Sequence, residues 1–220
     1  MAGVFGRLIG LGSAGGALKR AQALAEQGKR AEAFPLLAKA AQGGIAEAEY
    51  LVGRAYLEAA GVPRSATEAT RWLEKAAEHG YVEAQSLLGA VYLSGITGVA
   101  AEAAQSGSAL FATAAAGGSV QPDFDKAAHW ARRAAEGGSA DGQALLGYIL
   151  TSGPESLRDL PAAEDWYRKA AAANSPQGQL GFGMALLRRA KTAEEQAAGA
   201  AELAKAAESG LPTAQYLLGV

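Results

Sequence analysis

AEAEYLVGRAYLEAAGVPRSATEATRWLEKAAEHG, residues 46 to 80, holds two apolar-faced segments separated by a breaker. In the first, Ala48, Leu51, Val52, Ala55 and Tyr56 recur at the i, i+3, i+4 steps of one helix face. In the second, Ala69, Trp72, Leu73 and Ala76 do the same. Gly61-Val62-Pro63 interrupts them. Ser65 stands where an N-cap belongs, with Glu68 three residues on to close a capping box. Gly80 ends the second segment as a C-terminal stop. The stretch reads as a helix, a turn and a second helix.

The rest of the chain restates this unit. Gly53 is followed by Gly89, Gly147, Gly183 and Gly219, at spacings of 36, 58, 36 and 36 residues. The basic-Ala-Ala steps that begin at Lys39, Lys75, Arg133, Lys169 and Lys205 have the same spacings. Two independent markers with one period and one interruption define a repeat array, and the long spacing implies a 22-residue insertion in one unit. Asp123 and Asp159 take the place of Ser65 and are good caps. Glycine inside a helix costs about 1 kcal/mol relative to alanine. Its fivefold recurrence therefore predicts a close helix–helix contact. The position five residues earlier is also small each time (Ala48, Ala84, Gly142, Gly178, Ala214). Tyr56, Tyr92, Trp72, Trp130 and Trp166 are expected to fill the space beside these positions. Neither helix buries its face alone; stacked neighbours do.

The pattern A-x-A-x-Y-x-x-G-x-x-Y, then G-V-P, then A-x-x-W-x-x-K-A-A-x-x-G resembles the Sel1-like repeat, a relative of the tetratricopeptide repeat. The resemblance covers roughly residues 46–220, preceded by a degenerate unit. It implies an all-α fold, a right-handed α-solenoid of antiparallel helix pairs. Leu150 and Leu186 depart from the usual tyrosine, and Glu202 from the usual tryptophan. Some members of that family staple their repeats with disulfides. This chain has no cysteine, so that subgroup is excluded.

The units fall at about 17–44, 45–80, 81–138 with the insertion, 139–174 and 175–210, with a partial unit over 211–220. In the first, a helix over Ala17–Gln27 precedes Gly28-Lys29 and a second helix over Ala31–Gln42. Pro35 either lies in the first turn of a helix that begins near Phe34 or kinks a longer one. The insertion lies between Leu93 and Ser119. Within it Val99–Ala104 and Ala109–Ala116 have helix composition, and they order only if Leu110 and Phe111 pack on something. Residues 1–16 read as a flexible segment. As a secretory signal they have an apolar core too short, broken by Gly10 and Gly12, with no cleavage motif. The expected location is cytoplasmic, with a periplasmic or secreted location as the alternative if that segment is a signal.

Half of the 220 residues are apolar and the net charge is −2, with lysine and arginine scattered singly. A continuous helical core is within reach, and the lack of a basic stripe argues against nucleic acid. No apolar run approaches a membrane span. Catalysis needs convergent reactive groups. The two histidines, His79 and His129, lie in different units and read as structural or solvated. No phosphate loop, metal-ligand cluster or cofactor motif is present, so the expectation is no enzyme, no cofactor and no metal.

What remains is surface. In tetratricopeptide-like stacks the first helix of each pair lines the concave groove. The matching positions here are Glu47, Tyr50, Arg54 and Leu57; Glu83, Ser86, Ala90 and Leu93; Asp141, Ala144, Tyr148 and Thr151; and Gln177, Leu180, Met184 and Leu187. The candidate partner-binding set is Glu47, Tyr50, Arg54, Glu83, Asp141, Tyr148, Leu180, Met184 and Leu187. An acidic edge beside an apolar trough fits a peptide or helix with basic and hydrophobic residues. Ordinary inter-repeat packing draws on the same helices. The function expected is a protein-binding adaptor or scaffold; the alternative is the repeat region of a larger enzyme. Tyr216, Leu217 and Leu218, with no following helix over them in this sequence, suggest self-association through the C-terminal edge.

Overall fold

The computed structural model describes residues 13–95 and 121–219, all of whose regular structure is helical. The chain divides into two compact units, residues 1–122 and 123–220. The first contains α1 (Ala14–Glu26), α2 (Arg30–Gln42), α3 (Ala46–Glu58), α4 (Ala66–Glu78) and α5 (Val82–Ser94). The second contains α6 (Phe124–Glu136), α7 (Ala140–Ser152), α8 (Leu160–Ala172), α9 (Pro176–Arg189), α10 (Ala193–Glu208) and α11 (Pro212–Leu218). Within each unit every helix packs on the next, and α7 also packs on α9. Short connections make consecutive helices antiparallel neighbours. The insertion and its two candidate helices lie outside the described residues.

The caps sit where the spacing puts them. The Ser65, Asp123 and Asp159 side chains accept hydrogen bonds from the backbone N–H of Glu68, Lys126 and Ala162. Thr192 and Glu195 form a full reciprocal capping box on α10. The C-terminal stop of α4 is a Schellman turn: the Tyr81 N–H donates to Ala76 O at 2.9 Å and the Gly80 N–H to Ala77 O at 3.1 Å. The same pair of bonds ends α2, α6, α8 and α10. Asn174 serves this role in α8 with φ +60°, a conformation asparagine tolerates better than most residues.

Repeated small residues bring the helices together from two sides. An added Cβ at Gly147 would stand 2.8 Å from the Tyr167 ring of α8. One at Gly53 would stand 2.8 Å from Leu73 Cγ, and one at Gly183 2.8 Å from the Gly199 carbonyl oxygen. This position thus faces the second helix of its own pair. The position five residues earlier faces the second helix of the preceding pair. A Cβ at Gly142 or Gly178 would stand 2.5 or 2.4 Å from the Cβ of Ala134 or Ala170. Ala48 packs with Ala40 in the core of the first unit, and Ala214 with Ala206 in that of the second. The first alanine of each basic-Ala-Ala step, from Ala40 to Ala206, is fully buried.

Two details differ from the sequence reading, and a third decides between alternatives it left open. Gly219 is not a fifth close contact: it caps α11 at φ +74° and has no atom within 4 Å of an added Cβ. Residues 13–16, placed by the sequence reading in the N-terminal segment, are the cap and first turn of α1, where the Ser13 hydroxyl accepts from the Gly16 N–H. Glycines 15 and 16, weak helix formers, hide that start. Of the two readings of Pro35, the longer helix holds: α2 begins at Arg30 and Pro35 is interior to it.

In three of the five steps the basic residue covers a tryptophan three residues before it. Lys75 lies 4.4 Å from the Trp72 ring, Arg133 5.2 Å from Trp130 and Lys169 3.9 Å from Trp166. In the last full pair the tryptophan position is Glu202. Lys205 Nζ there reaches Glu202 Oε1 at 2.6 Å, so a salt bridge replaces the cation–π contact.

Candidate protein-binding surface

In the first unit, α3 and the start of α5 bring four predicted residues around a fifth that the sequence reading does not include, Tyr81. The Tyr50 and Tyr81 rings lie 5.1 Å apart at an interplanar angle of 38°. The Arg54 guanidinium is 5.7 Å from the Tyr50 ring, and its Nη2 bonds Glu58 at 2.7 Å. The Glu58 contact, the largest influence on Arg54, raises its pKa. Glu47 accepts a 2.7 Å hydrogen bond from Gln22 Nε2 of α1. Glu83 makes no ion pair or side-chain hydrogen bond among the described residues. Burial raises the Tyr81 phenol's pKa, and Glu83, Glu47 and Tyr50 push it further the same way. The two carboxylates give the surface beside Tyr81 a negative character. Since Glu58 neutralises Arg54, the two carboxylates near the tyrosine pair are uncompensated.

Tyr81 immediately precedes α5, in the register position that Ile45, Ser139, Ser175 and Leu211 take in the other pairs. The only sequence signal for it is an aromatic at a position otherwise held by aliphatic or small polar residues.

In the second unit the predicted residues are not joined to one another by any hydrogen bond, ion pair or ring contact among the described residues. Asp141 is exposed at the start of α7. Tyr148 is 48% exposed and Met184 47%. Leu180 is half-buried and packs against Ala206, Ala207 and Ala214. Leu187 lies over α10, where its Cγ would be 2.7 Å from a Cβ added at Gly199. Leu180 and Leu187 therefore contribute to helix packing. Of the remaining groove positions, Thr151 donates its hydroxyl proton to the Gly147 carbonyl at 2.8 Å.

The histidines have structural surroundings. His79 Nδ1 lies 2.7 Å from Oε2 of the buried Glu49. His129 is exposed and stands edge-on to Trp130, ring centroids 4.9 Å apart. No group of three or more His, Cys, Asp or Glu among the described residues is placed to hold a metal ion. No described helix is long and apolar enough to cross a membrane.

Helix pairs stacked in a 36-residue register, with small residues at the contacts on both sides of α3, α7 and α9, define an α-solenoid of tetratricopeptide type. The Sel1 repeat family model matches residues 46–81, 82–106, 107–139 and 140–175, more than half of the chain, and the chain belongs to that family. The long unit is matched in two segments that meet inside the insertion. Sel1 repeat proteins generally mediate protein–protein interaction, and their scaffolds are typically non-catalytic. The crystal structure of a Sel1 repeat protein from Oxalobacter formigenes matches with a TM-score of 0.74 at 22% identity, over 94% of this chain and 75% of that one. It establishes the fold. A protective antigen of uropathogenic Escherichia coli strains, displaying an SLR fold, aligns at 27% identity with a TM-score of 0.44. That alignment covers 94% of this chain and 49% of the antigen, so the chain spans about half its length. No curated protein matches the chain.

Proposed function

We propose that this chain is a non-catalytic interaction scaffold whose first unit takes a basic and apolar segment of a protein partner. The observation that carries this reading is the Tyr50–Tyr81 pair flanked by Glu47 and Glu83. Aromatic faces attract lysine and arginine, and nearby carboxylates add to that attraction. In the second unit, Asp141, Tyr148 and Met184 offer an acidic and apolar surface of the same character; Leu180 and Leu187 lie along the same helix as Met184.

The test is fluorescence anisotropy with a labelled peptide of alternating arginine and leucine, titrated with the full chain. Changing Glu47 and Glu83 together to lysine is expected to weaken binding about tenfold or more, since each reversal turns an attraction into a repulsion. Raising the salt concentration should shrink the difference. Equal affinity for parent and variant at low salt would remove this reading.

Self-association through α11 belongs to the same proposal. Tyr216 there is 84% exposed, beside Leu217 at 48% and Leu218 at 38%. A contiguous apolar edge of this kind favours a protein contact. Sedimentation across a concentration series is expected to show a mass that rises with concentration for the parent and stays monomeric for Tyr216→Lys with Leu217→Glu. A parent that stays monomeric throughout refutes the contact.

A further inference from the structure

A cavity of about 300 Å³ opens in the second unit, where the C-terminal ends of α7 and α9 flank the first turns of α8. Its walls are apolar: Leu160, Pro161 and Ala163 from α8, and Ala185 from α9. Leu160, which heads α8, is 47% exposed. The hydroxyl-bearing residues in the lining are Thr151 and Tyr167. The rest of the lining is charged, and its balance decides what the cavity attracts. Arg189 Nη2 pairs with Glu164 Oε1 at 3.2 Å, so those two cancel. Arg188 has no carboxylate partner among the described residues. One uncompensated positive charge therefore borders a small apolar cavity.

We propose that this cavity binds an apolar monocarboxylate, with its hydrocarbon part against Leu160, Pro161 and Ala185 and its carboxylate on the Arg188 guanidinium. The volume is at the lower end of the roughly 300–1,000 Å³ of small-ligand sites. That suits a single aliphatic chain or one side chain rather than a nucleotide or a fused-ring cofactor. A dianion such as a phosphate ester would meet the Glu164 carboxylate as well as the arginines, whereas a monoanion needs only Arg188. A guanidinium donates two parallel hydrogen bonds to a carboxylate, which fixes the ligand's orientation. The Tyr167 phenol is consistent with this field: burial raises its pKa, while Thr151 and Arg188 pull the other way. The same chemistry, a hydrocarbon group beside a carboxylate, is offered by a free short-chain acid and by the C-terminal apolar residue of a peptide.

The experiment uses the full chain, isotopically labelled, with octanoate, octanol and the tripeptide N-acetyl-Gly-Gly-Leu as separate probes followed by NMR. A ligand of this size is expected to bind in the range of about 0.1 to a few mM, given the energy available per atom. Octanoate should shift the amides of Thr151, Leu160, Tyr167 and Arg188. Arg188→Gln should weaken octanoate about tenfold and leave octanol unchanged, because only the acid uses the charge. Leu160→Asp, a change at an exposed position, should weaken both. Tighter binding of octanoate than of the tripeptide identifies a free acid as the source, and the reverse order identifies a chain terminus; either supports the site. No binding by octanoate or the tripeptide at roughly 10 mM, shifts centred elsewhere, or equal octanoate affinity in parent and Arg188→Gln overturns the proposal. None of these outcomes bears on the Tyr50–Tyr81 surface, which the arginine-leucine peptide tests by itself.

Discussion

Gly178→Leu is expected to destabilise the second unit by about 3 kcal/mol or more. An added Cβ at Gly178 would stand 2.4 Å from Ala170 Cβ, and 2.7 Å from the Ala170 carbonyl carbon and from the Ala171 nitrogen. Two of those three obstacles are backbone, so no rotamer change relieves the clash. Helices α8 and α9 would have to separate, and the Ser175 cap between them, whose hydroxyl accepts from the Gly178 N–H at 3.2 Å, would move with them. Overpacking against mobile side chains costs about 1–3 kcal/mol, and backbone obstacles place this case at or above the top of that range. A domain stable by only about 5–15 kcal/mol registers such a loss plainly. Gly15→Ala is the comparison with the opposite sign. Gly15 lies in α1 with nothing within 4 Å of an added Cβ, so alanine there should gain up to about 1 kcal/mol from helix propensity. Thermal melting followed by circular dichroism compares the two, and equal melting temperatures would contradict the two-sided contact.

The second large effect is expected at Glu49 and His79. The register position of Glu49 is glutamine in every later pair: Gln85, Gln143, Gln179 and Gln215. The amide of Gln85 donates to the Ala77 carbonyl at 3.0 Å, Gln143 to Ala135 at 3.4 Å and Gln215 to Ala207 at 3.2 Å. Each closes the C-terminal turn of the preceding helix. An ionised carboxylate has no proton to give Ala41, the corresponding carbonyl, and Glu49 instead meets His79, the C-cap of α4. Glu49 is 3% exposed. His79→Ala therefore leaves a buried carboxylate without its partner. Breaking a fully buried pair costs about 3–5 kcal/mol; the half-exposed imidazole lowers the expectation to about 1–3 kcal/mol. Glu49→Gln removes the buried charge and restores the donor its counterparts have, so it should be neutral or stabilising. In the double variant the His79→Ala penalty should largely vanish. Urea unfolding of the four proteins in a double-mutant cycle measures this coupling. Strict additivity, or a large loss from Glu49→Gln alone, would show that the pair does not behave as described.

Local chemistry explains which parts of this molecule are readable from its residues. Ser65, Asp123 and Asp159 are caps because a side-chain oxygen reaches a backbone N–H only three residues away. Gly53 and Gly147 announce close contacts because a helix keeps a costly residue only where something larger would collide. Gly219 shows the limit of that inference, since the same letter in the same register ends a helix instead. Tyr81, the Glu49–His79 pair and the Arg188 cavity were not legible. Each depends on side chains about 20 to 40 residues apart meeting across helices. The 36-residue period says which helices stack, but not which rotamer closes a pair or leaves an arginine unmatched. Among the predicted surface residues, Tyr50 and Glu83 converge around Tyr81, while Leu180 and Leu187 also serve helix packing. Sequence spacing does not distinguish those two fates on one helix.

The two-sided contact made by the small residues also governs how such an array changes length over generations. The first helices α3, α7 and α9 each have one glycine or alanine for the helix behind and another small residue, five residues on, for the helix ahead. Removing or duplicating 36 residues in register hands every surviving helix a neighbour of the shape it already accommodates. A deletion of any other size puts a bulky side chain against a backbone that has no room for it. Whole-repeat gain and loss is then the smooth route of lineage divergence, and partial lengths are tolerated only in the connections between helices, where neither seam passes.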